Sequence, residues 1–353
     1  LNLMFLYLVL SPAITVFQTY ERYQYEYKKT VAISLLVSIA SALLAVILVV
    51  YCEDKLLGRI IGQVLPSGII GLCLAGYFVS KGARINLRLL GYALPLALPL
   101  VPHGLAGVIL GTFDRVMITR MIGFEAAALY SVAYSCGMII MVLASSLNQA
   151  YSPYIGDMVE FQRKGELRRK TMLYVSGFLM FAIIIMLLAP EVLWVLGGEN
   201  YSAALYAIPV VSLGCVFQFI YTLYVDLELK QKKTIYIAIA TLAAAAVNLV
   251  LNMVFIPLMG YFGAACTTAI GYGCLLLFHY FIARDIGGAE YFSTAFNCLI
   301  ACVAVLAALG SSLLYGDQIM RYSCLVIWIL AITILVIVKR NEIRGFLDAS
   351  RKD

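Results

Sequence analysis

With 353 residues, 63% of them apolar and only 12% charged, the chain is far more hydrophobic than a water-soluble domain, which averages about half apolar and a quarter charged. That balance excludes an ordinary soluble enzyme and makes an all-α integral membrane protein the expected fold class. The net charge of +6 invites a polyanion such as nucleic acid, but the placement of the cations gives it another meaning.

A helix needs about 20 mostly apolar residues to cross the hydrocarbon of a bilayer. Eleven windows qualify: 2–19, 31–51, 60–80, 89–112, 126–150, 171–189, 203–225, 234–256, 261–283, 292–314 and 322–338. The first lacks a basic stretch before it and a small-residue cleavage site after it, so no cleavable signal is expected. The fourth carries Pro95, Pro99 and Pro102, followed by His103 and Gly104. A proline removes a backbone donor and clashes with the preceding turn, so the pattern predicts a bent helix. Beyond the bend come Asp114 and Arg115 as neighbours, then Arg120.

The fifth window sets small residues at Ala127, Ser131 and Ser135, a spacing that suits close helix packing, and ends on Asn148, Gln149 and Tyr151. A basic linker, "GDMVEFQRKGELRRK", follows. Gln218 lies in the seventh window. Asp226 and Glu228 stand next to Lys230, Lys232 and Lys233 and read as a solvated ion-pair cluster. Asn248 and Asn252 are one turn apart in the eighth, and the ninth opens on a run of glycines and alanines, Gly260 to Gly273, that reads as a second packing face. His103 and His279 both read as packing residues.

The flanking cations alternate. Lys55, Arg59, Arg115, Arg120 and Arg321 fall on one side of the windows, and the other twenty of the 25 Lys and Arg fall on the opposite side. Cytoplasmic loops hold the excess of Lys and Arg, so the larger set, with the C-terminus, is expected inside. The basic excess is thus a topology signal. An odd number of windows then puts residue 1 outside, and an odd number of further helices upstream would resolve that.

Charged groups at membrane depth are expensive, and they face one another or a cavity. Asp114, Arg115 and Arg120 read either as interfacial anchors or as a cationic feature of a lumen, where a guanidinium fork suits phosphate oxygens. Gln149, Gln218, Asn248 and Asn252 read either as interhelical bonds or as lining for a sugar. The nine cysteines have no zinc-type spacing and read as small buried hydrophobes. No nucleophile elbow, Walker loop, zinc-protease helix or dinucleotide fingerprint is present, so neither catalytic residues nor a cofactor or metal is expected. The helices present show no convincing buried carboxylate of the kind an ion-coupled drug exporter needs.

The stretch "LPLALPLVP", the run Asp114-Arg115-Val116-Met117-Ile118, Gly123 and Tyr130-Ser131-Val132-Ala133 resemble the seventh and eighth helices of the polysaccharide-export flippases. These are the O-antigen and exopolysaccharide lipid-linked oligosaccharide translocases of the multidrug/oligosaccharidyl-lipid/polysaccharide exporter superfamily. "GGENYSAALYAIPVVSLG" and "VNLVLNMVFIPLMGYFGAACTTAIGY" resemble later passages of the same family in the same order.

The resemblance implies a two-lobe, MATE-like transporter fold of fourteen helices, of which these windows are helices four to fourteen, with an incomplete N-terminal lobe. Residues 1–87 are then a remnant of that lobe, 88–284 the C-terminal six-helix lobe, and 285–353 two additional helices and a basic tail. It also implies flipping of a polyprenyl-pyrophosphate-linked oligosaccharide by alternating access in the bacterial cytoplasmic membrane. The implied partners are that substrate, membrane lipids and the glycan polymerase and glycosyltransferases of its pathway. Asp114 would orient Arg115 in a cationic lining, and Pro95, Pro99, Pro102 and Gly104 would supply the bend. The alternatives are lipid II transport, drug/ion antiport, and a membrane glycan polymerase or acyltransferase.

Overall fold

The computed structural model describes residues 2–84, 86–338 and 340; the cations Lys339, Arg344, Arg351 and Lys352 of the basic tail lie outside the described residues. Among the described residues there is no strand. The helices are α1 (Asn2–Tyr23), α2 (Tyr27–Tyr51), α3 (Lys55–Ser80), α4 (Leu87–Ala97), α5 (Leu100–Met121), α6 (Phe124–Glu160), α7 (Lys164–Leu187), α8 (Ala189–Gly197), α9 (Ala207–Lys230), α10 (Thr234–Asp285), α11 (Thr294–Leu314) and α12 (Gln318–Val338). Among the described residues nine helical segments are long and apolar enough to span a membrane, with α4 and α5 counting as one. The eleven sequence windows exceed that number because the first, in α1, is not among the nine and two others are halves of the 52-residue α10. The chain is a multi-pass membrane protein.

It divides into two compact units, Leu1–Leu90 and Gly91–Asp353. In the first, α3 packs on α2 and α1 through glycines. A Cβ on Gly62 would sit 2.3 Å from the Ala45 Cα, and one on Gly71 would sit 2.3 Å from the Leu10 carbonyl oxygen. Without a hydrophobic drive between helices in lipid, close backbone approach is what holds them. The outward face of α2, which has no buried residue, suits a lipid contact.

In the second unit, α6, α7 and α9 enclose a core built on Tyr130, Phe178 and Phe219, all under 2% exposed, with the two phenylalanine rings stacked 3.8 Å apart. α10 crosses this core twice, because at Gly260 the backbone turns to φ 66°, ψ −149°, a region open to glycine and strained for other residues. α11 and α12 pack in the same unit. α11 reaches α9 through Asn297, whose Nδ2 donates to the Tyr224 hydroxyl at 2.7 Å. α12 is held by Arg321, described below.

The helices outrun the apolar windows. α6 continues from the expected 150 to Glu160 and α7 begins at Lys164, so most of the supposed basic linker is helical. Hydropathy marks the hydrocarbon, whereas the backbone ladder runs on into the polar layer. What remains is a turn with Gln162 at φ 54°, closed by Arg163 N donating to Met158 O at 2.9 Å. Tyr25 and Lys232 sit at φ 58° and 62° in equivalent turns, with Glu26 N bonding Glu21 O and Lys233 N bonding Glu228 O at 2.9 Å each. This is the left-handed helix stop that glycine fills best. Gln162→Gly should therefore raise the unfolding free energy by roughly 0.5–1 kcal/mol, read as a higher denaturation midpoint in detergent.

The cysteine expectation needs correcting. Among the described residues Cys136 and Cys215 are buried, while Cys52, Cys73, Cys298 and Cys302 are exposed. In a membrane protein an apolar side chain is at home on the lipid face, so burial does not follow from hydrophobicity.

Candidate functional site

The proline-rich stretch is a break: α4 ends at Ala97 and α5 starts at Leu100 with Pro99 before it. Pro95 stays inside α4, and Pro102 falls in the first turn of α5, where a missing N–H costs little. Gly104 is in regular helix with nothing within 4 Å of a Cβ placed there, so it is no part of the break. His103 Nδ1 lies 2.7 Å from the Thr241 hydroxyl on α10, which fixes the start of α5.

Below the break, Ala106, Leu110, Asp114, Met117 and Ile118 form the buried stripe of α5, spaced three and four apart as one helix face requires. Gly271 on α10 admits this face, since a Cβ there would come within 3.1 Å of Leu110 and 3.4 Å of Asn248. Asp114 is fully buried. Its Oδ2 accepts hydrogen bonds from the Tyr130 hydroxyl on α6 and, at 2.8 Å, from the Thr268 hydroxyl on α10. Its Oδ1 is buried without a hydrogen-bond partner. One carboxylate thus joins three helices.

A second set of bonds continues the seam. Asn252 Nδ2 donates to Asn248 Oδ1 at 3.2 Å, and the Thr267 hydroxyl bonds to Asn252 Oδ1. Both asparagines are fully buried. In this conformation they bridge the two halves of α10.

Arg115 turns elsewhere. Successive residues of a helix point about 100° apart, so Asp114 and Arg115 share no bond, and the expectation that one orients the other does not hold. The Arg115 guanidinium lies 4.4 Å from the Tyr134 ring centroid and 5.8 Å from that of Tyr130, with one N–H donating to Gly111 O at 3.2 Å. It is half-buried. A guanidinium on aromatic faces keeps its charge and its planar fork, so it can meet an incoming phosphate.

Arg120 is exposed at the end of α5, Gln149 is exposed on α6, and Gln218 is half-buried on α9. Among the described residues, Arg120 and Gln218 take no part in the seam's hydrogen bonds.

The solvated cluster expected at Asp226 and Glu228 is not formed. Glu228 is fully buried and bonds His279, Asp226 accepts from Ser152 on α6 at 2.9 Å, and Lys230 pairs with Glu160 at 2.7 Å. Tyr221, Tyr224 and Glu228 recur at i, i+3 and i+7, a single helix face, and all three are buried. That periodicity was the signal available in the sequence. Proximity to the lysines was the misleading one. Contrary to the sequence expectation, buried carboxylates are therefore present at Asp114 and Glu228. Among the described residues no group of three or more His, Cys, Asp or Glu could hold a metal ion.

Residues 1–159 match the family model described as "Polysaccharide biosynthesis protein". No curated protein matches the chain in sequence. Among solved structures, the chain is similar to a crystal structure of a MATE point mutant, at 16% identity and a TM-score of 0.61, covering 74% of this chain and 63% of that one. It is also similar to the lipid II flippase MurJ in an inward closed conformation, at 15% identity and a TM-score of 0.58, covering 93% of this chain and 72% of the other. The chain thus spans less than two thirds of the MATE structure's length. The N-terminal part of the chain is thus similar to polysaccharide biosynthesis proteins, and the chain has an all-helical membrane fold like that of the MATE and MurJ structures.

Proposed function

We propose that the protein flips a polyprenyl-pyrophosphate-linked oligosaccharide across the bacterial cytoplasmic membrane for polysaccharide or O-antigen export, by alternating access and without covalent chemistry of its own. The observation that carries this reading is the half-buried Arg115 guanidinium, laid on Tyr134 beside a buried polar seam at the end of a broken, proline-bearing element. Such a cation attracts the pyrophosphate, and the break lets α5 change its angle while the lipid tail stays in the bilayer. The polymerase and glycosyltransferases of the pathway are the proposed partners. Twenty of the 25 Lys and Arg on one side support a cytoplasmic C-terminus. Arg120, Gln149 and Gln218, with Asn248 and Asn252 once the seam opens, are proposed lining for the glycan.

The test is translocation of a fluorescent polyprenyl-pyrophosphate oligosaccharide in proteoliposomes. Arg115→Ala should lower the rate roughly 10–100-fold, as expected for a charge-assisted contact of about 1.5–3 kcal/mol, with Arg115→Lys in between. A normal rate in Arg115→Ala at equal incorporation would overturn the role.

A second reading, an ion-coupled drug exporter on the same fold, is favoured by the fully buried Asp114 carboxylate. Raised resistance to cationic drugs on expression, without glycan translocation, would select it.

A further inference from the structure

Glu228 on α9 and His279 on the second half of α10 are both fully buried. His279 Nδ1 lies 2.9 Å from Glu228 Oε1 and 3.1 Å from Oε2. The other ring nitrogen, Nε2, is buried without a hydrogen-bond partner. About one turn further along both helices opens a cavity of about 390 Å³, lined by Gln231, Lys233, Tyr236, Ile282, Asp285 and Ile286. Since a water occupies about 30 Å³ in the liquid, this cavity has room for several, one turn from a sealed acid–base pair.

We propose that Glu228 and His279 form a proton-binding site loaded and emptied through this cavity. The pair has no net charge when Nε2 carries a proton and one further proton is shared between Nδ1 and a carboxylate oxygen. Loss of that shared proton would leave the pair at −1, and a further proton, giving imidazolium beside a neutral carboxyl, would leave it at +1. A dry pocket disfavours both, because an uncompensated buried charge is costly. Proton exchange therefore requires water from the cavity, so occupancy and opening of these helix ends are linked, each biasing the other.

Among the described residues, no other charged side chain hydrogen-bonds to the pair. Tyr221 stacks on the imidazole at 5.4 Å, with Tyr272 behind it at 6.3 Å and the Tyr134 hydroxyl of α6 beyond, near Gly111. From α5, His103 lies within electrostatic reach, tied to Thr241. α11 contributes the uncharged Asn297 to Tyr224. Asp226 is turned to Ser152, and Lys233 and Asp285 stand at the cavity.

The site can be tested without any transport substrate. The chain has two histidines, so the full chain labelled with ring-¹⁵N histidine in lipid nanodiscs gives two imidazole signal sets, and His279→Gln identifies one. The pH response of the His279 set should shift its midpoint by about one pH unit or more in Glu228→Gln. An unchanged midpoint in Glu228→Gln overturns the proposal. So does the absence of any step in the unsubstituted chain, which needs no variant to fold. If Glu228→Gln does not fold, Glu228→Asp replaces it with the same reading. The translocation reading can fail while this titration succeeds, and the reverse.

Discussion

Arg321→Leu should lower the unfolding free energy by about 2–3 kcal/mol and free α12 from the rest of its unit. Arg321 is 3% exposed, and its two terminal nitrogens each lie 2.6 Å from an oxygen of Glu191 on α8. One of them also donates to Leu187 O at 2.9 Å. Breaking a fully buried pair costs about 3–5 kcal/mol. The lower figure applies here because Glu191 is 37% exposed and water relieves part of its loss. Burial alone would raise the Glu191 carboxyl, but hydrogen bonds from Arg321 and Tyr322 hold it below the ordinary carboxylate range. A folded-state value below the unfolded one stabilises above the unfolded value of about 4.3 and is lost as pH falls through the folded value. The gap between wild type and Arg321→Leu should therefore be full at pH 7 and shrink below about pH 4, read by denaturation in detergent across pH. A gap that does not change with pH would mean that packing of the arginine stem, not the ion pair, holds α12.

Asp114→Ala should be equally damaging, by about 3 kcal/mol. Removing the carboxylate strands two buried hydroxyls, Tyr130 and Thr268, and each buried group left unpaired costs roughly 1–3 kcal/mol. Asp114→Asn keeps an acceptor without the charge and should lose about half as much. Asp114→Ala combined with Tyr130→Phe should cost less than the sum of the single changes, because one stranded group has been removed. Additive losses in that cycle would contradict the joint. On the proposed function, translocation should fall at least about tenfold in Asp114→Ala even where expression is restored, because the joint of α5, α6 and α10 through Asp114 would be lost.

The membrane class and the position of most spans were legible because hydropathy reports the solvent each segment meets. The bend was legible for a similar reason, since Pro99 leaves few backbone options, although Gly104 proved incidental. What was not legible depended on helical phase and on partners far along the chain. Asp114 and Arg115 are neighbours in sequence yet face different elements. Glu228 reads as surface beside three lysines until its phase with Tyr221 and Tyr224 is counted. Thr268 becomes functional only through a residue 154 positions away. The glycines of α3 show the same limit, because Gly58 and Gly62 stand one turn apart, yet their contacts with Leu48 and Ala45 of α2 emerge only from the fold.

The length of α6 has a practical consequence. Its 37 residues amount to about 55 Å of straight helix, longer than a hydrocarbon layer of about 30 Å is thick, and Tyr151, Ile155 and Met158, all buried, keep its last turns packed and ordered. A helical fusion partner spliced in phase near Glu160 would inherit that stiffness, giving cryo-microscopy a fiducial rigidly coupled to this unit.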